Sequence, residues 1–84
     1  MRVKVKLYAG LQNYLPADAR ANSSLLDIDA ETTVCQIIEK FRIPLHEAHL
    51  ILLNGVFVEP GTRDKAGLLR EGDTLAIWPP VAGG

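Results

Sequence analysis

The most distinctive chemistry in the sequence lies in its last residues, Pro79, Pro80, Val81, Ala82, Gly83 and Gly84. A carboxylate at Gly84 is a poor electrophile, but activation with ATP as an acyl adenylate would make it reactive. The two glycines lack side chains, so they can enter a narrow channel and adopt backbone angles that other residues avoid. The two prolines hold the base of this segment extended. We therefore expect residues 81–84 to form a flexible, reactive tail that threads into a partner protein.

Three other side chains with reactive groups have simpler interpretations. Cys35 is the single cysteine and cannot form an internal disulfide, and its place beside an apolar helical stripe favours packing over a reactive thiol. His46 and His49 are three residues apart, which could place both imidazoles on one helical face. Because they lie in a linker and no third ligand is evident, we expect no metal site.

Two stretches near the N-terminus predict the first pair of strands. Residues 2–8 and 25–30 alternate apolar and polar side chains, as strands with one buried face do. An antiparallel hairpin would bring oppositely charged side chains together on its outer face. The charged residues concerned are Lys4, Lys6, Asp27 and Asp29.

One strong helix pattern follows the hairpin. Thr33, with Gln36 three residues later, predicts a capping box at its start, and Pro44 predicts its end. The apolar stripe of this helix consists of Val34, Ile37, Ile38 and Phe41.

The second half of the chain predicts three more strands. Two apolar runs flank Asn54-Gly55, a pair typical of tight hairpin turns, and residues 74–78 alternate before the prolines end the last strand. The order ββαβββ predicts a two-layer α+β domain over residues 1–80, with a mixed sheet of four to five strands packed on one main helix. The first and last strands are expected to be neighbours at the centre of this sheet.

An aromatic pair is expected on the outer face of that sheet. If the first and last strands are neighbours, Tyr8 and Trp78 lie on the same side, away from the core and next to the base of the tail. Exposed aromatic residues in such a position favour a partner-docking surface. Either Leu50 and Leu52 or Ile51 and Leu53, whichever pair faces outward, would enlarge it.

Composition excludes several classes of function. The 84 residues include 9 Lys and Arg and 10 Asp and Glu, and no stretch collects the positive charge, so a nucleic-acid partner is not expected. The charged N-terminal strand does not fit a signal peptide, and no apolar run reaches membrane-spanning length. We therefore expect a cytoplasmic protein without a membrane partner.

Over its whole length, the sequence resembles the ubiquitin-like β-grasp sulfur carriers. The terminal PPVAGG is similar to that of the small subunit of molybdopterin synthase, and LYAGL, TTV, LNG and LREGDTLAIWPP agree in position and kind. The stretch LQNYLP departs from the family pattern because it lacks an Arg-Glu pair common there, which concerns partner contacts only.

The resemblance implies a β-grasp fold and a reaction cycle. An adenylating enzyme similar to the ubiquitin-activating class would use ATP to activate Gly84, and a sulfur donor protein would convert it to a thiocarboxylate. The large subunit of molybdopterin synthase would then receive the tail and pass the sulfur to a pterin precursor, whose dithiolene binds molybdenum or tungsten. The chain itself would be a co-substrate that binds no cofactor, not an enzyme.

Three alternatives remain open at this point. The same chemistry could supply sulfur to the thiamine thiazole or to a sulfur-containing amino acid. A lysine amine could instead capture the adenylate, making the protein a ubiquitin-like modifier. Finally, the chain could be a plain interaction domain whose tail does not react.

Overall fold

The computed structural model describes residues 1–80, which form a five-stranded sheet and one α-helix. The strands are β1 (Arg2–Leu7), β2 (Ser23–Asp27), β3 (Leu50–Leu53), β4 (Val56–Phe57) and β5 (Thr74–Trp78), and helix α1 (Val34–Lys40) follows β2. Three short 3-10 helices cover Ala9–Tyr14, Leu45–Glu47 and Pro60–Thr62. No helix among these residues is long and apolar enough to cross a membrane.

The sheet is mixed, and its strand order is β2-β1-β5-β3-β4. β1 and β5 are parallel, whereas the pairs β1–β2, β5–β3 and β3–β4 are antiparallel. The predicted order ββαβββ and the predicted pairing of the first and last strands are therefore confirmed. The turn between β3 and β4 uses Asn54 and Gly55 with φ angles of 51° and 84°, as the sequence predicts.

The core lies between one face of the sheet and helix α1. The helix contributes Val34, Ile37 and Ile38, each at most 1% exposed. The sheet contributes alternate residues of its two central strands and of β3, because successive side chains of a strand point to opposite faces. These buried sheet residues are Val3, Val5, Leu7, Ile51, Leu75 and Ile77.

Helix α1 begins as predicted but ends earlier. The Thr33 hydroxyl accepts a hydrogen bond from the Gln36 backbone N–H at 3.1 Å, and the Gln36 side chain accepts one from the Thr33 N–H at 2.9 Å. At the other end, Arg42 has a φ of 61° and the N–H of Ile43 donates to the carbonyl of Ile38 at 3.1 Å. This left-handed turn buries Ile43 and ends the helix before Pro44 is reached.

The predicted register of the β1–β2 hairpin is wrong. Lys4 faces Leu25, and Lys6 faces Ser23, while Arg2 is the residue opposite Asp27. The Arg2 Nε donates to Asp27 Oδ1 at 3.1 Å, which holds the pKa of this exposed carboxyl below its usual value.

The position of the turn explains this register. The chain reverses at Ala21, where φ is 53°, so β2 begins at Ser23. Asp29 consequently lies beyond β2 and instead accepts hydrogen bonds from the N–H of Glu31 and the hydroxyl of Thr32.

Candidate functional site

The base of the tail follows directly from the central strand. β5 ends at Trp78, and the two prolines that follow cannot donate backbone hydrogen bonds, so the ladder stops there. Pro79 is half-buried and Pro80 is exposed. The tail residues Val81, Ala82, Gly83 and Gly84 lie outside the described residues, so their flexibility and threading role stay predictions.

Tyr8 and Trp78 stack face to face at the base of the tail. Their ring centroids are 4.2 Å apart and the ring planes differ by 4°. The N–H of Tyr8 donates to the Ile77 carbonyl at 3.1 Å, and the N–H of His49 donates to the Trp78 carbonyl at 3.0 Å. Backbone bonds therefore position both rings, and their predicted placement on one side is confirmed.

Apolar side chains extend this pair across the outer face. Leu50 is opposite Trp78 in the β3–β5 pairing, and Leu52 is opposite Phe57 in the β3–β4 pairing. Leu50 is 37% exposed and Phe57 51% exposed, while Ile51 points into the core. We call Tyr8, Leu50, Leu52, Phe57 and Trp78 the outer patch.

Phe57 is the residue of the outer patch that the sequence predictions missed. The signal was the Asn54-Gly55 turn, because a two-residue hairpin loop fixes the strand register and places residues 52 and 57 opposite one another. Side chains of directly opposite residues lie on the same face of a sheet, so Phe57 faces outward because Leu52 does.

A half-buried arginine supports the β4 side of the patch. The Arg63 guanidinium donates to the carbonyls of Val58, Ala48 and His49 at 3.1, 3.3 and 3.2 Å, and its central carbon lies 6.0 Å from the Phe57 ring centroid. Burial lowers the pKa of Arg63 because it disfavours the charged form. Arg63 thus joins β4 to the segment before β3, a role with no evident sequence signal.

The other reactive side chains occupy structural positions. Cys35 is partly exposed on the flank of α1, as predicted, and burial raises the pKa of its thiol with a further contribution from the charge of Asp64. His46 lies in the second 3-10 helix, and His49 directly precedes β3. Within residues 1–80, no three His, Cys, Asp or Glu side chains group together as metal ligands would.

Almost the whole chain matches one known protein family. The family model described as Mut7-C ubiquitin matches residues 1–82. The chain belongs to the Mut7-C ubiquitin family. No curated protein matches this family member.

Solved structures of other proteins share this fold. SAMP1 from Haloferax volcanii is 23% identical with a TM-score of 0.67, and 100% of each chain is covered. The putative molybdopterin converting factor, subunit 1, from Pyrococcus furiosus is 22% identical with a TM-score of 0.64, covering 95% of this chain and 98% of that one. A chain in the complex of subunits 1 and 2 of the molybdopterin-converting factor from Helicobacter pylori is 15% identical with a TM-score of 0.56, and 100% of each chain is covered. These likenesses confirm the ubiquitin-like β-grasp fold.

The outer patch gives this Mut7-C ubiquitin family member a surface suited to a protein partner. Its rings and leucines are apolar, and Lys6, which lies beside Ala76 in the β1–β5 pairing, borders it with positive charge. Large aromatic residues at a partly exposed surface are typical anchors of protein interfaces. The patch also lies where the chain leaves the sheet, so a protein bound there is next to the start of the tail.

Proposed function

We propose that this chain is a sulfur carrier whose C-terminal Gly84 is adenylated and then converted to a thiocarboxylate for the synthesis of the molybdopterin or tungstopterin dithiolene. The observation that carries the proposal is the sequence Pro-Pro-Val-Ala-Gly-Gly directly after the last strand of a ubiquitin-like fold. The family match supports it. The similarity in fold to a putative molybdopterin converting factor subunit is consistent with it.

The proposed chemistry takes place on the backbone carboxylate. A Gly84 oxygen attacks the α-phosphorus of ATP in an adenylating enzyme similar to the ubiquitin-activating class, and pyrophosphate leaves. The outer sulfur of a persulfide on a donor protein then attacks the carbonyl carbon, and AMP leaves. A thiol next cleaves the S–S bond of the resulting acyl disulfide, which frees the Gly84 thiocarboxylate and leaves the thiol and the donor sulfur joined as a disulfide. ATP is bound by the activating enzyme, so the chain acts as a co-substrate. These steps are proposed to take place in the cytoplasm.

The outer patch has a positioning role in this cycle. Residues 79–84 span at most about 20 Å when fully extended. A partner bound over Tyr8 and Trp78 would therefore have the Gly84 carboxylate within about that distance. Ordering the tail costs about 1–2 kcal/mol of backbone entropy per residue, which contacts to the patch help to offset. We propose that the activating enzyme and the large synthase subunit both use this surface. The complex of two subunits from Helicobacter pylori, to which this fold is similar, is consistent with a large-subunit partner.

A second candidate function is protein modification. The similar structure from Haloferax volcanii is named small archaeal modifier protein 1, and this chain covers 98% of it. The same adenylate would serve both functions, because a lysine amine can attack the activated carbonyl carbon in place of sulfur. The product would then be an isopeptide bond between Gly84 and a target protein.

Intact-mass analysis of the protein isolated from its own cells tests the proposal. We expect a fraction whose mass is higher by the difference between one sulfur and one oxygen, located at Gly84 by fragmentation. A variant without Gly84, expressed in the same cells, should lack this fraction. Gly84 linked to lysines with no thiocarboxylate would favour the modifier. If cells grown under conditions that require the dithiolene cofactor contain neither the thiocarboxylate nor the lysine-linked form, both the carrier function and the modifier function are refuted.

A further inference from the structure

β2 forms a free edge of the sheet that few features protect. Among residues 1–80, β1 is the only strand that pairs with β2, and the outward N–H and C=O of Ser23 are bonded to Arg20 in a turn, so the open part of this edge is centred on Leu25. The opposite edge, β4, has just two residues. Proteins usually block such edges with prolines, bulges or charges, because unpaired backbone groups can bind another strand. β2 reads Ser-Ser-Leu-Leu-Asp, and Leu25 at its centre is 60% exposed.

The hydrogen-bond pattern shows which groups of β2 face away from β1. Met1 and Ile28 exchange two hydrogen bonds, of 2.7 and 2.9 Å, so the even-numbered residues of β2 bond to β1. The N–H and C=O of Leu25 consequently point away from the sheet. No backbone group within the described part of the chain accepts from this N–H, and the hydroxyl of Ser24 is 3.5 Å from this carbonyl.

An apolar groove runs between this edge and helix α1. Its floor is Leu26, with Ile37 at one end and Phe41 at the other. The groove consists of two hollows along β2 that are both lined by Leu26 and Lys40. A strand added to β2 would place alternate side chains in this groove, because successive side chains point to opposite faces.

Positive charge surrounds the Leu25 end of the groove. The hollows on the two sides of Leu25 contain four basic side chains and one carboxylate. These residues are Lys4, Arg20, Lys40, Arg42 and Asp18. The other end contains Asp27, which bonds to Arg2, and Asp29. Charge therefore favours an acidic ligand at one end of the edge.

We propose that the free edge of β2 binds an extended segment of another protein as a sixth strand, with apolar side chains in the groove and carboxylates beside Lys40 and Arg42. Backbone hydrogen bonds to Leu25 provide affinity, and the groove and its charges provide selectivity. This surface is on β2, two strands from β5, whereas the outer patch is on β5, β3 and the ends of their neighbours. Binding at β2 is therefore independent of the chemistry of Gly84.

A synthetic peptide with defined chemistry tests this proposal. The probe is a blocked peptide of five alternating valines and threonines followed by three glutamates, titrated into the ¹⁵N-labelled full chain. We expect saturable amide shift changes centred on residues 23–28 and 40–42, and the same result with a chain lacking Gly84. A matched peptide with three lysines in place of the glutamates should not bind. Equal binding of both peptides, or shifts centred on the outer patch, would overturn the proposal.

Substitutions in β2 separate backbone pairing from side-chain contact. Leu25→Pro removes the outward N–H without removing a bond to β1, and edge strands tolerate proline at such positions. It should weaken binding about tenfold or more, while Leu25→Thr, which keeps the N–H, should bind nearly as the parent does. A Leu25→Pro chain that binds like the parent would overturn the proposed backbone pairing.

A second pair of variants tests the charges and keeps the test decisive if Leu25→Pro does not fold. The double variant Lys40→Gln, Arg42→Asn should lose most of the affinity for the glutamate peptide, because asparagine tolerates the positive φ of residue 42. The exposed Lys65, outside the groove, provides the control Lys65→Gln, which should bind normally. Concentration-dependent shifts at β2 without peptide would identify a second copy as the occupant and overturn the proposal.

Discussion

Trp78 is the last residue of β5 and the side chain next to the base of the tail. It is half-buried and stacks on Tyr8 outside the core cluster, so its removal should disturb the fold less than the loss of a core side chain. Interface aromatics typically contribute about 2 kcal/mol or more to affinity. We expect Trp78→Ala to bind the large subunit of molybdopterin synthase at least about tenfold more weakly, a change of 1.4 kcal/mol. Calorimetric titration measures this effect.

Two variants of Tyr8 accompany this experiment. Tyr8→Ala should weaken binding less than Trp78→Ala does, because Trp78 still offers its larger ring to the partner. Tyr8→Phe keeps the stacked ring and should bind almost normally. Thermal melting of each variant shows whether it is folded. Normal affinity of folded Trp78→Ala would remove the outer patch from the proposed cycle.

For single residues, the alternation of side chains along a strand predicted which face of the sheet a residue lies on, whereas no sequence pattern indicated the contacts between distant loops. Parity placed Tyr8 and Trp78 on one face, since each directly follows or ends a strand with clear alternation. Arg63 could not be predicted in the same way. Its hydrogen bonds join carbonyls that are between 5 and 15 residues away, and no periodic pattern contains them.

Helix α1 is the element on which the core depends, and Ile38 tests this. Ile38 is 1% exposed and lies in the middle of the apolar stripe. Ile38→Ala should lower the free energy of unfolding by about 2–5 kcal/mol, because it removes buried methyl groups and leaves a cavity. Chemical denaturation measures this loss, which is large beside the roughly 5–15 kcal/mol of a typical domain.

The neighbouring Glu39 offers a matched control on the same helix. Glu39 is exposed, so Glu39→Ala should change the free energy of unfolding by no more than about 0.5 kcal/mol. Equal losses for Ile38→Ala and Glu39→Ala would contradict the assignment of the buried face.

The ends and registers of elements were harder to predict than the elements themselves. Pairing charged residues across β1 and β2 contributes only a few tenths of a kcal/mol, so the turn at Ala21 decided the register instead. The end of helix α1 was also decided by an interaction that the local sequence does not show. The burial of Ile43 set its end through a left-handed residue at Arg42, a tertiary effect that the sequence near Pro44 does not reveal.

For the molecule as a whole, the fold and the proposed reaction occupy different parts of the chain. Every buried hydrophobic residue in the described structure lies between Val3 and Ile77. The parallel pairing of β1 with β5 joins the two ends of this range at the centre of the sheet. Within residues 1–80, the buried contacts of the core therefore end before the two prolines, and the division into a domain of residues 1–80 and a tail of residues 81–84 stays a prediction.

This separation leads to a prediction for the whole molecule. A chain shortened by Gly84 should have the same melting temperature as the parent, because no core residue changes. With ATP and the activating enzyme, however, it should form no acyl adenylate, since the proposed reaction requires the carboxylate to follow two glycines. Pyrophosphate release, measured for both chains at equal concentration, checks this. Adenylation of the shortened chain at the parental rate would refute Gly84 as the reacting residue, and a lowered melting temperature would show that the tail also stabilises the fold.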